Sequence, residues 1–201
     1  MAAQKEYSCV RKTKKSLEMS LVSIAKQVPL NKISVKQICE KAELSRNAFY
    51  FHYSDINALI QDIEDNMIND ITAMFDEFRE VGYPENILLV IQTLTDYLIE
   101  RKETTLMLLD STYSTSFTKR FNAAFSNFFF EYFKQYHKTD ARSTYDCFYN
   151  YVSGGYCAML SNWLHDPGDI TRRHFIRLAY TFAGRMLITD KEHNVLIENK
   201  E

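Results

Sequence analysis

The chain has 201 residues, is 46% hydrophobic and carries a formal net charge of −2. That is enough apolar material for a sizeable core in one or two compact units. No apolar run approaches the ~20 residues a membrane span needs, and the opening MAAQKEYSCVRKTKK lacks the apolar stretch of a secretory signal, so a cytoplasmic protein is expected.

Five glycines and three prolines are few for this length, which argues for long helices and short connections. The small net charge hides an asymmetry. Residues 1–53 hold ten Lys/Arg against four Asp/Glu, while residues 54–201 hold fourteen against twenty-two. A basic head on an acidic body points to a polyanion as partner of the head. Cys9, Cys39, Cys147 and Cys157 form no CxxC pair and have no histidine at ligand spacing. They read as free thiols of a reducing compartment.

In chain order, Leu17, Leu21, Ile24, Ala25 and Val28 fall on one helical face, predicting a helix from about residue 10 to Val28, ended by Pro29 and Asn31. Ser34 caps a short second helix with Val35, Ile38 and Ala42 inward. Glu43-Leu44 makes a turn. Ser45 caps a third helix through about His52, and Ser54 or Asp55 caps a long fourth. That helix carries Ile56, Leu59, Ile60, Ile63, Met67, Ile71, Met74, Phe75 and Phe78, and stops near Gly82-Tyr83-Pro84. Asp62, Glu64 and Asp65 on it read as a solvated face.

Beyond Pro84, Ile87 to Leu98 predicts a fifth helix and Leu106 to Leu109 a short buried piece. Phe121, Phe125, Phe128, Phe129, Tyr132, Phe133 and Tyr136 form one aromatic face, with Phe130 pointing elsewhere and needing its own partner. Tyr145, Phe148, Tyr149, Val152, Tyr156, Met159, Leu160 and Trp163 make the next face, closed by Pro167-Gly168. Asp169 or Thr171 starts the last helix. The fold class is therefore all-α: a three-helix head, a long connecting helix and a helical bundle. The head spans 11–71, with a helix-turn-helix at 34–53, and the body spans 72–201.

Two short helices across a tight turn, backed by a longer one, match the plan of a major-groove reader. Arg46 and Asn47 stand at the tip of the second short helix. Arg can pair with guanine and Asn with adenine, each worth roughly 1–3 kcal/mol of discrimination when bidentate. Phe49 and Tyr53, four apart, should pack inward. Tyr50 and Phe51 should face the sugar-phosphate wall, and His52 can donate to a phosphate. Ser34, with a helix N-terminus behind it, and Lys36 can meet another phosphate. Ser45 and Ala48 complete the tip.

The stretch ISVKQICEKAELSRNAFYFHYSDINAL, Ile33 to Leu59, resembles the tetracycline-repressor (TetR/AcrR) family of bacterial transcriptional regulators. The Ser-Val-x-x-Ile-x-x-x-Ala run, the turn closed by Leu44-Ser45 and the Phe-Tyr-x-His-Tyr at 49–53 carry the likeness. One position departs: relatives often place a lysine just after the cap of the fourth helix, where this chain has Ile56. The resemblance implies a double-stranded DNA partner, a homodimer built from the last two major helices, and an effector pocket in the body. The stretch YVSGGYCAMLSNWLHDP also looks like one subgroup, which includes an activator of a dihydroxyacetone-kinase operon, so the direction of control stays open.

Gly154-Gly155 inside a helical pattern costs roughly 1 kcal/mol per glycine against alanine. Close approach of a second helix would offset this. Val152, Gly154, Gly155, Met159, Ala179, Phe182, Ala183 and Met186 are the expected dimer residues. Met67, Met74, Phe78, Phe125, Phe129 and Trp163 are the expected lining for a small apolar or aromatic effector. No catalytic group, metal site or cofactor is expected: His137, His165, His174 and His193 are isolated. The primary reading is a dimeric, ligand-responsive repressor of a near-palindromic operator. The alternative is a helical interaction module, reaching a partner through Phe130, or an activator that depends on a coactivator and binds DNA weakly.

Overall fold

The computed structural model describes residues 2–80, 87–110, 114–137 and 142–187, and every regular element among them is helical. Helix α1 (Ala2–Ala25) starts earlier than its apolar stripe does, because nothing between Ala2 and Val10 breaks a helix. It ends three residues before Val28. The N–H groups of Gln27 and Val28 both donate to Ile24 O, at 3.0 and 3.1 Å, and Pro29 opens a single 3-10 turn over Leu30–Lys32.

Helices α2 (Val35–Ala42) and α3 (Arg46–His52) follow. Helix α4 (Ile56–Glu80) runs unbroken from head into body. Asp55, rather than Ser54, caps it: Ala58 N–H donates to Asp55 Oδ1 at 2.9 Å. The body comprises α5 (Ile87–Glu100), α6 (Lys102–Asp110), α7 (Ser114–His137), α8 (Arg142–His165) and α9 (Arg172–Leu187). The expected stop at Gly82-Tyr83-Pro84 lies outside the described residues.

One apolar core runs through both parts because α4 feeds both. Leu59 and Ile63 meet Leu17, Leu21, Ile38 and Phe49 in the head, whereas Met67, Ile71 and Phe75 serve the body. Phe75 is the hub there. Its ring stacks on Phe128 at 4.7 Å and meets the edges of Phe125 and Phe129 at 4.9 and 5.7 Å. Truncating such a residue costs about 3–5 kcal/mol. A second cluster joins Ile91, Phe133, Tyr145, Phe148, Tyr149 and Ala179.

Phe130 finds its separate partner within the chain, packing on Tyr145 at 4.9 Å with the Arg142 guanidinium 4.7 Å above its ring. One sequence-based expectation is corrected. The acidic face of α4 is not simply solvated: Glu64 is withdrawn from water, and Asp62 and Asp65, partly exposed, are paired. Glu64 is only 5% exposed and accepts from Arg120 Nη1 on α7 at 2.6 Å, and Asp65 takes the same guanidinium's other nitrogen. Asp62 accepts from Lys14 Nζ at 3.1 Å and from the Tyr53 hydroxyl at 2.6 Å. A carboxylate leaving water needs such partners, and these come from helices distant in sequence.

Candidate nucleic-acid interface

Local chemistry sets the two short helices. Ser34 Oγ accepts from Gln37 N–H at 3.3 Å while Gln37 Oε1 accepts from Ser34 N–H at 2.8 Å, a reciprocal capping box that fixes the start of α2. Glu43 ends α2 in the left-handed region at φ 55°, and Leu44 N–H returns to Cys39 O at 2.9 Å. That reversal swings the chain into α3, which Ser45 caps by accepting from Ala48 N–H at 3.1 Å.

Phe49 and Tyr53 then anchor α3. Phe49 is fully buried, its ring 5.8 Å from Tyr53. Tyr53 is tied to α4 through Asp62, and Lys14 of α1 sits 5.2 Å over its ring. Burial, then the hydrogen bond and charge of Asp62, pushes the Tyr53 hydroxyl far above its ordinary range. The anchor is thus a neutral donor at any physiological pH.

With that side fixed, the opposite arc of α3 faces out. Arg46, Asn47, Tyr50 and Phe51 lie within about 140° of one another at 100° per residue, and all four are exposed. Phe51 is 80% exposed and Tyr50 56%. Two adjacent rings left in water are poorly explained by the fold itself. Arg46 makes no hydrogen bond or ion pair with any described residue. His52 flanks the arc half-buried, its ring edge-on to Phe51 at 5.0 Å. Lys36, exposed on α2, holds only a 3.6 Å pair with Glu40, also exposed, which water screens almost completely. Ser34, Ser45 and Ala48 occupy the two helix starts.

The expected ligand residues do not form one site. Met67 and Phe125 are buried in the main core, and Met74, Phe78 and Phe129 pack against it. Trp163 stacks on Phe175 at 4.8 Å and donates its indole N–H to Ile170 O at 2.8 Å. An apolar cavity of about 60 Å³ lies instead between α5, α7 and α8. Ile91, Leu94, Phe121, Phe129, Phe148 and Val152 form its apolar wall, and Tyr149, Ser153 and Tyr156 bring hydroxyl-bearing residues to it. Of the expected residues only Phe129 lines it. The spacing of Tyr149, Ser153 and Tyr156, i, i+4 and i+7, was a signal in the sequence, but it reads equally as packing.

Of the expected dimer residues, Gly154 and Gly155 are exposed, and a Cβ on either would meet no atom within 4 Å. Phe182 is 61% exposed, and Val152 and Met159 are half-buried. Ala179 is only 2% exposed because its own chain covers it. The side chains of Ala183 and Met186 lie outside those described.

Two capped short helices across a tight turn, set on a helical body, make a helix-turn-helix architecture. A family model described as the C-terminal region of TetR-type transcriptional regulators matches residues 85–184. The chain belongs to the TetR/AcrR family of transcriptional regulators, which are not enzymes. Its fold is similar to that of a TetR transcriptional regulator from Streptococcus agalactiae, with a TM-score of 0.63 at 16% identity over 90% of this chain and 98% of that one. The dihydroxyacetone kinase operon activator DhaS aligns with a TM-score of 0.56 at 16% identity, covering 87% and 94%. The fatty acid degradation regulator FadR from Bacillus halodurans gives 0.61 at 10% identity, covering 89% and 96%. No curated protein matches the sequence significantly. Among the described residues no helix is long and apolar enough to cross a membrane, and no cluster of metal-ligating side chains occurs.

Proposed function

We propose that this regulator is a homodimer that binds a near-palindromic operator through α3 and releases or grips it in response to a small effector held in the body, most simply as a repressor. The observation that carries the reading is the two-sided α3: Phe49 and Tyr53 fastened inward, Arg46, Asn47, Tyr50 and Phe51 turned out. Arg46 and Asn47 read base edges; Tyr50 and Phe51 press on sugar-phosphate; His52, Lys36 and the Ser34 and Ser45 helix starts hold phosphates. The division of labour falls near residue 71, with DNA contact before it and ligand and partner contact after it.

One helix-turn-helix covers too little DNA for tight specific binding, so two copies must act together. The outer face of α8 and α9 supports that pairing. Tyr151 and Phe182 are exposed there, beside a groove of about 430 Å³ floored by Gly155, Met159 and Val152. Val152 and Tyr156 line both this groove and the inner cavity. A ligand inside therefore touches the wall that a partner would press from outside, and a shift in head spacing follows from differential affinity for the two arrangements.

Selection of bound sequences from a random duplex pool tests the reading. A near-palindrome with half-sites ~34–36 Å apart is expected. With 6–10 phosphate contacts, affinity should fall roughly 10³–10⁵-fold between 50 and 200 mM salt. Binding to no duplex at low salt would reject it.

A further inference from the structure

We propose that the cleft between α5 and α9 binds a small organic anion, its carboxylate or phosphate held by Arg173 and Arg177 and its apolar part laid on Leu88, Ile176 and Tyr180. This site lies apart from the head and from the cavity inside the body, and it goes beyond the proposed function without resting on it.

The body is acidic, yet α9 carries four arginines and no Asp or Glu. That placing is unfavourable for the helix itself. Arg172 and Arg173 open it, against the positive end of its dipole. Arg173 and Arg177, four apart, repel each other on one face. Elsewhere in the body an arginine comes with its acid. Arg101 holds Asp70, Arg120 holds Glu64 and Asp65, Arg142 holds Asp146, and Arg172 holds Asp96 at 2.6 Å. Arg173 and Arg177 are exposed and hold no carboxylate among the described residues. Two neighbouring guanidiniums without an acid, on a helix that gains nothing from them, are accounted for by an acid from outside.

Both arginines line one cleft of about 890 Å³, within the range of roughly 300–1,000 Å³ that small-molecule sites occupy. Its floor is apolar: Ile176 is buried, and Leu88 and Tyr180 are half-buried. Asp96 also lines the cleft, but Arg172 takes its charge through Nε at 2.8 Å, so Arg173 and Arg177 set the sign. A guanidinium fork matches the paired oxygens of a carboxylate or phosphate, and Gln92 brings an amide to the same rim. An amine would meet like charge there. The floor gives an apolar group its place beneath the head.

Calorimetric titration of the full chain with 2-naphthoate and 2-naphthyl phosphate, against neutral 2-naphthol, tests this. Both anions should bind about tenfold more tightly than naphthol, the low end for hydrogen bonds to a charged group because the guanidiniums are exposed. Raising salt from about 50 to 500 mM should erase most of that margin. The double variant Arg173→Gln, Arg177→Gln should bind all three probes alike. It should also melt no lower than the wild type, since it relieves the start of α9, and should sediment as the wild type does. No binding of either anion at millimolar concentration, naphthol binding as tightly as the anions, or an unchanged margin in the double variant overturns the proposal. So does a double variant that melts lower or associates more weakly, which would assign the arginines to the fold or to a second copy of the chain. Hexaglutamate binding more tightly than either anion would also overturn it, making the cleft a seat for an acidic peptide. Each of these outcomes leaves the DNA-binding reading of α3 untouched.

Discussion

Arg120 of α7 closes on Glu64 of α4 at 2.6 Å with the carboxylate only 5% exposed, and the same guanidinium also takes Asp65. Together with Asp62, held by Lys14 and Tyr53 from the head, and Asp70, which accepts from Tyr97 at 2.8 Å, this fastens α4 on both sides. The helix that joins reader to body is thus bolted rather than merely packed. Removing one partner from a buried pair leaves the other charge stranded, at about 3–5 kcal/mol. Arg120→Ala should lower stability by about 3 kcal/mol, the low end, because the guanidinium is itself partly exposed. Joint replacement by Arg120→Met and Glu64→Met should recover most of that. Urea unfolding measures both, and a double variant as weak as the single one would show that the pair matters for more than desolvation.

Glu43 is the sole non-glycine residue with positive φ among those described, at 55°. The left-handed region costs an ordinary side chain roughly 1–2 kcal/mol, and a β-branched one more. Glu43→Gly should therefore raise the melting temperature modestly, offset in part by glycine's greater freedom when unfolded. Glu43→Val should lower it. Equal melting of the two variants would mean that the turn relaxes out of this geometry.

The head was legible in the sequence because its determinants are local. Ser34, Ser45 and the Phe49–Tyr53 pair each act within four residues, the range over which spacing carries information. The acidic face of α4 was misread because its partners lie far away in sequence: Lys14 is 48 residues from Asp62, and Arg120 is 56 from Glu64. A charged residue on a helix looks solvated until the packing of other helices is known. The cavity was hidden for the same reason. Three helices must converge before its lining residues, drawn from α5, α7 and α8, come together.

Alkaline pH should unfold the protein cooperatively. Tyr53, Tyr97, Tyr145, Tyr149 and Tyr156 are all pushed above the ordinary tyrosine value of 10, burial being the leading cause in each. The unfolded chain releases these protons near pH 10 and the folded chain retains them. Above pH 10 the unfolded state therefore binds fewer protons, so stability is intact below that pH and falls as pH rises. Tyrosinate absorbance of these five residues should appear together with loss of the helical circular dichroism. Full tyrosinate absorbance with the helices intact would contradict their burial.

Gly155 gives a sharper test of the dimer than any side chain. Among the described residues a Cβ there meets nothing within 4 Å, so their packing does not demand glycine. Gly155→Ala should stabilise the isolated helix, and hence the monomer, by about 0.5–1 kcal/mol. If a second copy's backbone comes close at this point, the same methyl group must weaken association. Analytical ultracentrifugation across a dilution series, alongside thermal melting at a concentration too low for pairing, separates the two effects. Opposite signs are expected. A variant that is more stable and associates as well as the wild type would move the partner surface off this part of α8.

Arg46 and His52 should fail in different ways. Arg46 begins the exposed arc with no partner among the described residues, whereas His52 sits half-buried at the helix end beside Phe51. A base contact shapes sequence preference, whereas a phosphate contact sets overall affinity and salt response. Arg46→Ala should cost about 1–3 kcal/mol on the preferred duplex and flatten preference at one position per half-site. His52→Ala should weaken all duplexes alike, and Lys36→Ala should do so while reducing the salt slope by about one per head. Binding of each variant to a panel of single-base changes at two salt concentrations reads both quantities. Uniform weakening by Arg46→Ala would reassign that side chain to the backbone and leave Asn47 as the main reader of bases.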